Sequence, residues 1–101
     1  MQLSIAPFHP LFDVRMETMR VAAMRCEINE LRKDITNVSI TDAQRARIER
    51  QQKMFNESVN ELYEEEDENV LGLCLEYLEL AHIRYKRILL KILGRPLPLL
   101  L

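Results

Sequence analysis

The sequence predicts an all-α protein, either a three-helix antiparallel bundle or a long helical hairpin with coiled-coil-like packing. Three observations favour this class. Only 2 of the 101 residues are Gly and 4 are Pro, so little interrupts a helix. Apolar residues recur at alternating steps of three and four, as they do in the seam between packed helices. One predicted helix is apolar on two sides, which predicts that a partner chain completes the bundle.

The chain is predicted to have three parts. A chain of 101 residues is long enough for one small domain and too short for two. Residues 1–10 contain two prolines and form an extended lead-in, and residues 11–93 form the helical domain. Residues 94–101 form a Pro/Leu tail. This tail either docks on the bundle or on a partner, or it links to further sequence.

The first predicted helix covers about residues 11–36, a stretch without Gly or Pro. Its main apolar seam consists of Val14, Val21, Met24, Ile28, Leu31 and Ile35. A second apolar stripe consists of Phe12, Met16, Met19, Ala23 and Cys26. Two apolar flanks on one helix predict more than one neighbouring helix.

The second predicted helix covers about residues 42–64, after a turn at residues 37–40. Thr41 and Gln44 have the T-x-x-Q spacing of a capping box, in which each side chain accepts a hydrogen bond from the backbone of the other residue. Charged and amide residues dominate this helix. Its apolar residues form one narrow edge of Ile48, Phe55, Val59 and Leu62. We therefore expect it to shield one side of a core made by helices 1 and 3.

The third predicted helix, at about residues 69–93, is the most apolar, and Gly94 supplies its end. Its main seam consists of Leu71, Cys74, Leu78, Ala81, Tyr85, Ile88 and Ile92. A second stripe on its first half consists of Val70, Leu73, Tyr77 and Leu80. Two other helices, one of them mostly polar, cannot cover this much apolar surface. A partner chain is therefore expected.

The connection between helices 2 and 3 has two interpretations. A break near Asp67–Asn69 is favoured, because Asp and Asn prefer helix caps to helix interiors. Glutamate, however, is a good helix former, so a single helix from Asp42 to Leu93 is the alternative. In that case the chain forms a two-helix hairpin.

Composition and charge limit the classes of function. The formal net charge is −2, whereas a nucleic-acid binder usually has a clear basic excess. No apolar run approaches the roughly 18 residues of a membrane-spanning helix. The first ten residues lack Lys and Arg and do not resemble a signal peptide. Two cysteines, Cys26 and Cys74, fit a reducing compartment. The expected location is therefore the cytoplasm or the nucleus.

Catalytic and metal-binding motifs are sparse. Glu79 and His82 form a single E-x-x-H, and Glu27 and Glu30 on helix 1 could in principle complete a metal site. One such motif is a weak signal, since di-iron bundles use two together with further glutamates. The sequence has no phosphate-binding glycine loop and no serine in a glycine-rich turn. We expect neither catalysis nor a cofactor nor a bound metal.

Two charged segments flank the apolar part of helix 3. An acidic run occupies residues 64–68, and a basic amphipathic stretch follows residue 83. The basic residues are Arg84, Lys86, Arg87, Lys91 and Arg95. The interpretation we favour is that both complement helix dipoles as ordinary helix ends. The alternative is an anionic-ligand patch that binds a membrane surface, which is not favoured, or nucleic acid, which the net charge argues against.

The expected function is therefore a non-enzymatic protein–protein interaction module, an oligomerisation module or an adaptor or scaffold subunit of a complex. The partner is either a second copy or another helical subunit. The residues expected at the partner interface are Val70, Leu73, Tyr77, Leu80, Met16 and Met19.

Overall fold

The computed structural model of the chain describes residues 10–97, with side-chain surroundings from residue 18 onward. It contains three α-helices, and no part of residues 10–97 forms a β-strand. The helices are α1 (Pro10–Ile35), α2 (Asp42–Glu64) and α3 (Glu68–Leu93). The prediction of an all-α helical bundle is confirmed, and the single long helix from Asp42 to Leu93 is not formed.

Some predictions lie outside the described residues. They concern the lead-in before residue 10, the tail after residue 97 and the side chains of the first part of α1. The residues affected in α1 include Phe12, Val14 and Met16.

The start of α2 has the predicted capping box. The Gln44 amide donates a 3.1 Å hydrogen bond to Oγ1 of Thr41, and the Thr41 amide donates a 2.9 Å bond to Oε1 of Gln44. Both satisfy amides that have no partner within the helix. Asp42 in the first turn adds a negative charge at the positive end of the helix dipole.

A short non-helical segment separates α2 from α3, as the capping preference of Asp and Asn predicts. The Asn69 amide donates a 2.9 Å hydrogen bond to Oδ1 of Asp67, which is the N-cap of α3. The Asp67 amide in turn donates a 3.0 Å bond to Oε2 of Glu65. Two acidic side chains therefore use their oxygens to cap backbone amides, which stabilises a break here over a continuous helix.

The end of α3 is set by Gly94, which has a φ of 71° and so occupies the left-handed region. The Arg95 amide donates a 2.9 Å hydrogen bond to the Leu90 carbonyl, and the Gly94 amide donates a 3.2 Å bond to the Lys91 carbonyl. This pair of bonds satisfies carbonyls at the helix end, and glycine adopts the required φ without steric cost.

The core lies around α3, which packs against both other helices. The α1 seam from Val21 to Ile35 is buried, as the 3,4 spacing predicts. From α3 the core receives Leu78, Ala81, Tyr85, Leu89 and Leu90.

The role of α2 differs from the prediction of a shielding helix. Over the part of the chain that the structure describes, its packing against α3 is more extensive than that of α1. All four residues of its apolar edge, Ile48, Phe55, Val59 and Leu62, are buried. Full burial of a large apolar side chain contributes roughly 1.5–3 kcal/mol, so even a narrow edge makes α2 an equal member of the core.

Three ion pairs join α1 to α3 and to the segment that follows α3. They link Arg20 to Glu79, Glu27 to Lys86 at 2.6 Å and Asp34 to Arg95 at 2.7 Å. The pairs advance in the same direction along both helices. Most of these side chains are partly exposed, so each pair adds little stability. Their value is that they define how α1 and α3 are aligned.

Arg32 connects all three helices. Its Nη1 donates hydrogen bonds to the Tyr85 hydroxyl of α3 at 2.5 Å and to Oε1 of Gln52 of α2 at 2.8 Å. Burial raises the pKa of Tyr85, and the hydrogen bond from Arg32 opposes that rise. Tyr85 therefore stays protonated at neutral pH and fills the core beside Phe55, with their rings 6.1 Å apart.

Candidate protein-interaction surface

An apolar strip lies on the outer side of the first half of α3. We define it as Val70, Leu73, Tyr77 and Leu80, whose steps of 3, 4 and 3 place them on one helix face. Val70 is half-buried, whereas Leu73 is 55% exposed, Tyr77 is 66% exposed and Leu80 is 50% exposed. Large apolar side chains with this much exposure, adjacent on one face, are typical of binding surfaces.

The strip is exposed because another face of α3 fills the core. Leu78 is completely buried, at 0% exposure. Successive residues of a helix are about 100° apart around its axis, so Tyr77 turns away from the core that Leu78 enters. Among the residues with described side chains, the first half of α3 is therefore apolar on its inner and its outer side. The inner side packs in the core, while Leu73 and Tyr77 on the outer side stay largely exposed.

Met19, also predicted at the interface, is 67% exposed on α1 but does not join the strip. It is nine residues from Ile28, a core residue of the same helix. At about 100° per residue, the two side chains point to opposite sides of α1. Met19 therefore belongs to the outer face of α1, separate from the apolar strip on α3.

Beyond Leu80, the same helical spacing continues with basic residues, which we call the basic end of this face. Arg84, Arg87 and Lys91 follow Leu80 at steps of 4, 3 and 4, and all three are exposed. Together with Arg47 and Gln51 of α2 they line a shallow cavity of about 270 Å³. No acidic residue lines this cavity, so it is a site of positive potential. The contribution of Arg47 is not apparent from the sequence, because it depends on how α2 packs beside α3.

The other two residues of the predicted basic patch are engaged within the chain. Lys86 lies 2.6 Å from Glu27, and Arg95 lies 2.7 Å from Asp34. The structure therefore places three of the five predicted basic residues together on the outer face of α3. The other two face α1.

The opposite end of the same face is acidic. A groove of about 490 Å³ lies between the end of α2 and the start of α3. Its lining residues are Glu61, Glu64, Glu65, Val70, Leu73, Cys74 and Tyr77. The sequence contains no Lys or Arg between Lys53 and Arg84, so no cation of this segment neutralises the groove. The face therefore has an acidic end, an apolar middle and a basic end.

The residues of the E-x-x-H motif take separate roles. Glu79 forms an ion pair with Arg20, while His82 is buried between α1 and α2 with its ring 6.2 Å from that of Phe55. Oε1 of Glu27 lies 3.2 Å from Nε2 of His82, but the two atoms do not meet hydrogen-bond geometry. Among the residues with described side chains, no three His, Cys, Asp or Glu residues are grouped as metal ligands.

Burial determines the protonation of this cluster. It lowers the pKa of His82, and the nearby Glu27 carboxylate opposes that shift without cancelling it. The hydrogen bond from Lys86 lowers the pKa of Glu27, against the opposing effect of its own burial. At neutral pH the cluster therefore holds a neutral His82 beside the Glu27–Lys86 ion pair. This is a packing arrangement, with the imidazole closed off from solvent.

A wide cavity of about 720 Å³ opens at the hairpin between α1 and α2. It includes Cys26, Asn29 and Lys33 from α1 and Arg45 and Glu49 from α2, and all five are exposed. This composition is that of two solvated helix surfaces diverging from a turn.

No family model, curated protein or solved structure matches the chain. The helices within residues 10–97 include none that is long and apolar enough to cross a membrane.

Proposed function

We propose that the protein is a non-enzymatic protein–protein interaction module, acting as an oligomerisation module or as an adaptor or scaffold subunit. The observation that carries this proposal is the apolar strip on α3. Leu73, Tyr77 and Leu80 are each at least half exposed, although they lie on the most apolar helix of the chain. A partner helix laid along the strip would remove this surface from water.

The arrangement of the helices is consistent with a partner binding to the apolar strip on α3. We propose that they run up, down and up, as an antiparallel bundle. The connections at residues 36–41 and 65–67 are short, which favours reversal of direction between consecutive helices. The α1–α3 ion pairs advance in the same direction along both helices, as this topology requires. With α1 and α2 both placed on the inner side of α3, a partner chain completes the bundle on the outer side.

A second candidate, binding to a membrane surface or nucleic acid through the basic end, has weaker support. Arg84, Arg87 and Lys91 do form an exposed basic end. However, Leu89 and Leu90 are buried in the core and Ile88, Ile92 and Leu93 are partly buried against it, so less apolar surface among these cations is left for insertion into lipid. The cations also form only one end of a face whose other end is acidic.

Site-specific photocrosslinking tests the proposal. A benzophenone amino acid is placed at Tyr77 in the strip, or at exposed Lys33 on α1 as the control position, in the cells that make the protein. Ultraviolet light should link position 77, and not position 33, to a polypeptide. The link should disappear when Leu73→Gln and Leu80→Gln are added. Equal crosslinking from both positions, or none from position 77, would contradict the proposal.

A further inference from the structure

Charges of opposite sign lie before and after Tyr77 along the chain. Asp67 lies ten residues before Tyr77, in the acidic run, and Arg87 lies ten residues after it, in the basic end. Each is therefore about 15 Å from Tyr77 along α3. Leu73 and Leu80 lie four residues before and three residues after Tyr77. Tyr77 therefore lies near the centre of the apolar strip, with an acidic groove towards one end and a basic cavity towards the other.

We infer that the partner of the apolar strip is a second copy of this chain, with the two α3 helices antiparallel and a two-fold axis near Tyr77. This inference rests on the proposed function and identifies its partner. The two-fold axis places Leu73 of one copy against Leu80 of the other and brings the two Tyr77 rings together. It also places Arg87 of each copy opposite Asp67 of the other.

Charge complementarity selects this orientation over a parallel one. In the antiparallel dimer, Arg84 of one copy lies opposite Val70 of the other, beside the groove that Glu64 and Glu65 line, and Arg87 lies opposite the acidic run that also contains exposed Glu66. In a parallel dimer the basic ends would lie on each other and the acidic ends likewise. Like charges held close together without compensation oppose association.

The same layout favours a second copy over a helix that carries charge of only one sign. A basic peptide would satisfy the acidic groove but would leave the basic end of the face uncovered. An acidic peptide would do the reverse. A second copy supplies both charges at the required distance from the apolar centre, since it carries the same face turned through the two-fold axis.

The proposed contact extends along α3. From Asp67 to Arg87 the two helices would overlap for about 30 Å, since each residue advances the helix by about 1.5 Å. Two α3 helices in contact over this length form the geometry of an antiparallel coiled coil, with the strip residues as its seam.

Charge reversal provides the test. Exposed ion pairs are individually weak, so each variant reverses two charges at one end of the face. The basic-end variant carries Arg84→Glu and Arg87→Glu. The acidic-end variant carries Glu64→Lys and Glu66→Lys. None of these four side chains is buried, so both variants should keep the circular dichroism of the wild-type helix bundle. Dimerisation of full-length chains is measured by sedimentation at low salt, for each variant alone and for an equal mixture.

Each variant alone should dimerise roughly tenfold more weakly than wild type, because like charges now meet at both ends of the dimer. The mixture should recover wild-type affinity as a heterodimer, since every contact between the two variants is again between opposite charges. High salt should reduce these differences.

Three results would overturn the inference. One is a wild-type chain that stays monomeric, another is a pair of variants that dimerise as tightly as wild type, and the third is a mixture that does not recover. If position 77 still crosslinks specifically to another polypeptide, the proposed interaction module stands, and only the identification of its partner as a second copy is wrong. If that crosslink is also absent, both proposals fail.

Discussion

Leu78 and Leu80 offer a matched pair of substitutions on one helix, with opposite expected effects. Leu78 is 0% exposed and Leu80 is 50% exposed. Truncation of a fully buried leucine to alanine typically costs about 2–5 kcal/mol of unfolding free energy. Leu78→Ala should therefore destabilise the folded chain by that amount, a large part of the stability of a small domain.

Leu80→Ala should act mainly on association. About half of the side chain is already covered within one chain, so its truncation should cost the monomer only about 1 kcal/mol. The exposed half would be covered in the dimer and contributes roughly 1 kcal/mol in each copy. The loss of about 2 kcal/mol from the dimer corresponds to a dissociation constant about 30-fold higher.

Two assays separate these effects. Urea unfolding, followed by circular dichroism at a concentration where the chain is monomeric, gives the unfolding free energy. Sedimentation over a concentration series gives the dissociation constant. Val38→Ala is the control, since Val38 is an exposed apolar residue in the turn between α1 and α2, away from the strip. If Leu80→Ala left the dissociation constant unchanged, or Val38→Ala raised it equally, the assignment of the strip would be refuted.

Two further substitutions test the fold. Thr41→Ala removes the capping box and should lower the unfolding free energy by about 1 kcal/mol in urea unfolding, whereas Thr41→Ser should largely preserve it. Burial lowers the pKa of His82 in the folded chain, so the unfolded chain binds the proton more readily. The His82 contribution to stability is therefore complete above the unfolded pKa of about 6.5 and is lost as pH falls below it. Thermal unfolding of wild type and His82→Leu between pH 7 and pH 5 should show a smaller pH dependence in the variant, and equal slopes would contradict this account.

Much of the fold follows from local features of the sequence. The capping box at Thr41, the cap at Asp67 and the helix end at Gly94 each depend on a few neighbouring residues. The seam from Val21 to Ile35 follows from its spacing, since a 3,4 alternation keeps one stripe on one helix face. Such features do not require knowledge of how the helices pack.

Features that depend on packing between helices were harder to predict. The narrow edge of α2 suggested a shielding helix, because spacing shows which residues share a face but not how deeply that face is buried. The alignment of Glu27 with Lys86 depends on how α1 packs on α3. The contribution of Arg47 to the basic end likewise depends on the position of α2. The strip itself was predicted from an excess of apolar surface on α3, and its partner stays a prediction.

The solution mass of the purified wild-type chain is the most direct test of the claim that a second copy binds to the α3 strip. Sedimentation equilibrium should give a mass that rises with concentration from that of one chain, 12.0 kDa, to twice that value. The rise should stop at two copies, because a two-fold contact uses the same face of both chains and leaves none for a third. A folded chain that keeps the mass of one copy at every concentration would contradict the claim, and so would continued growth beyond two.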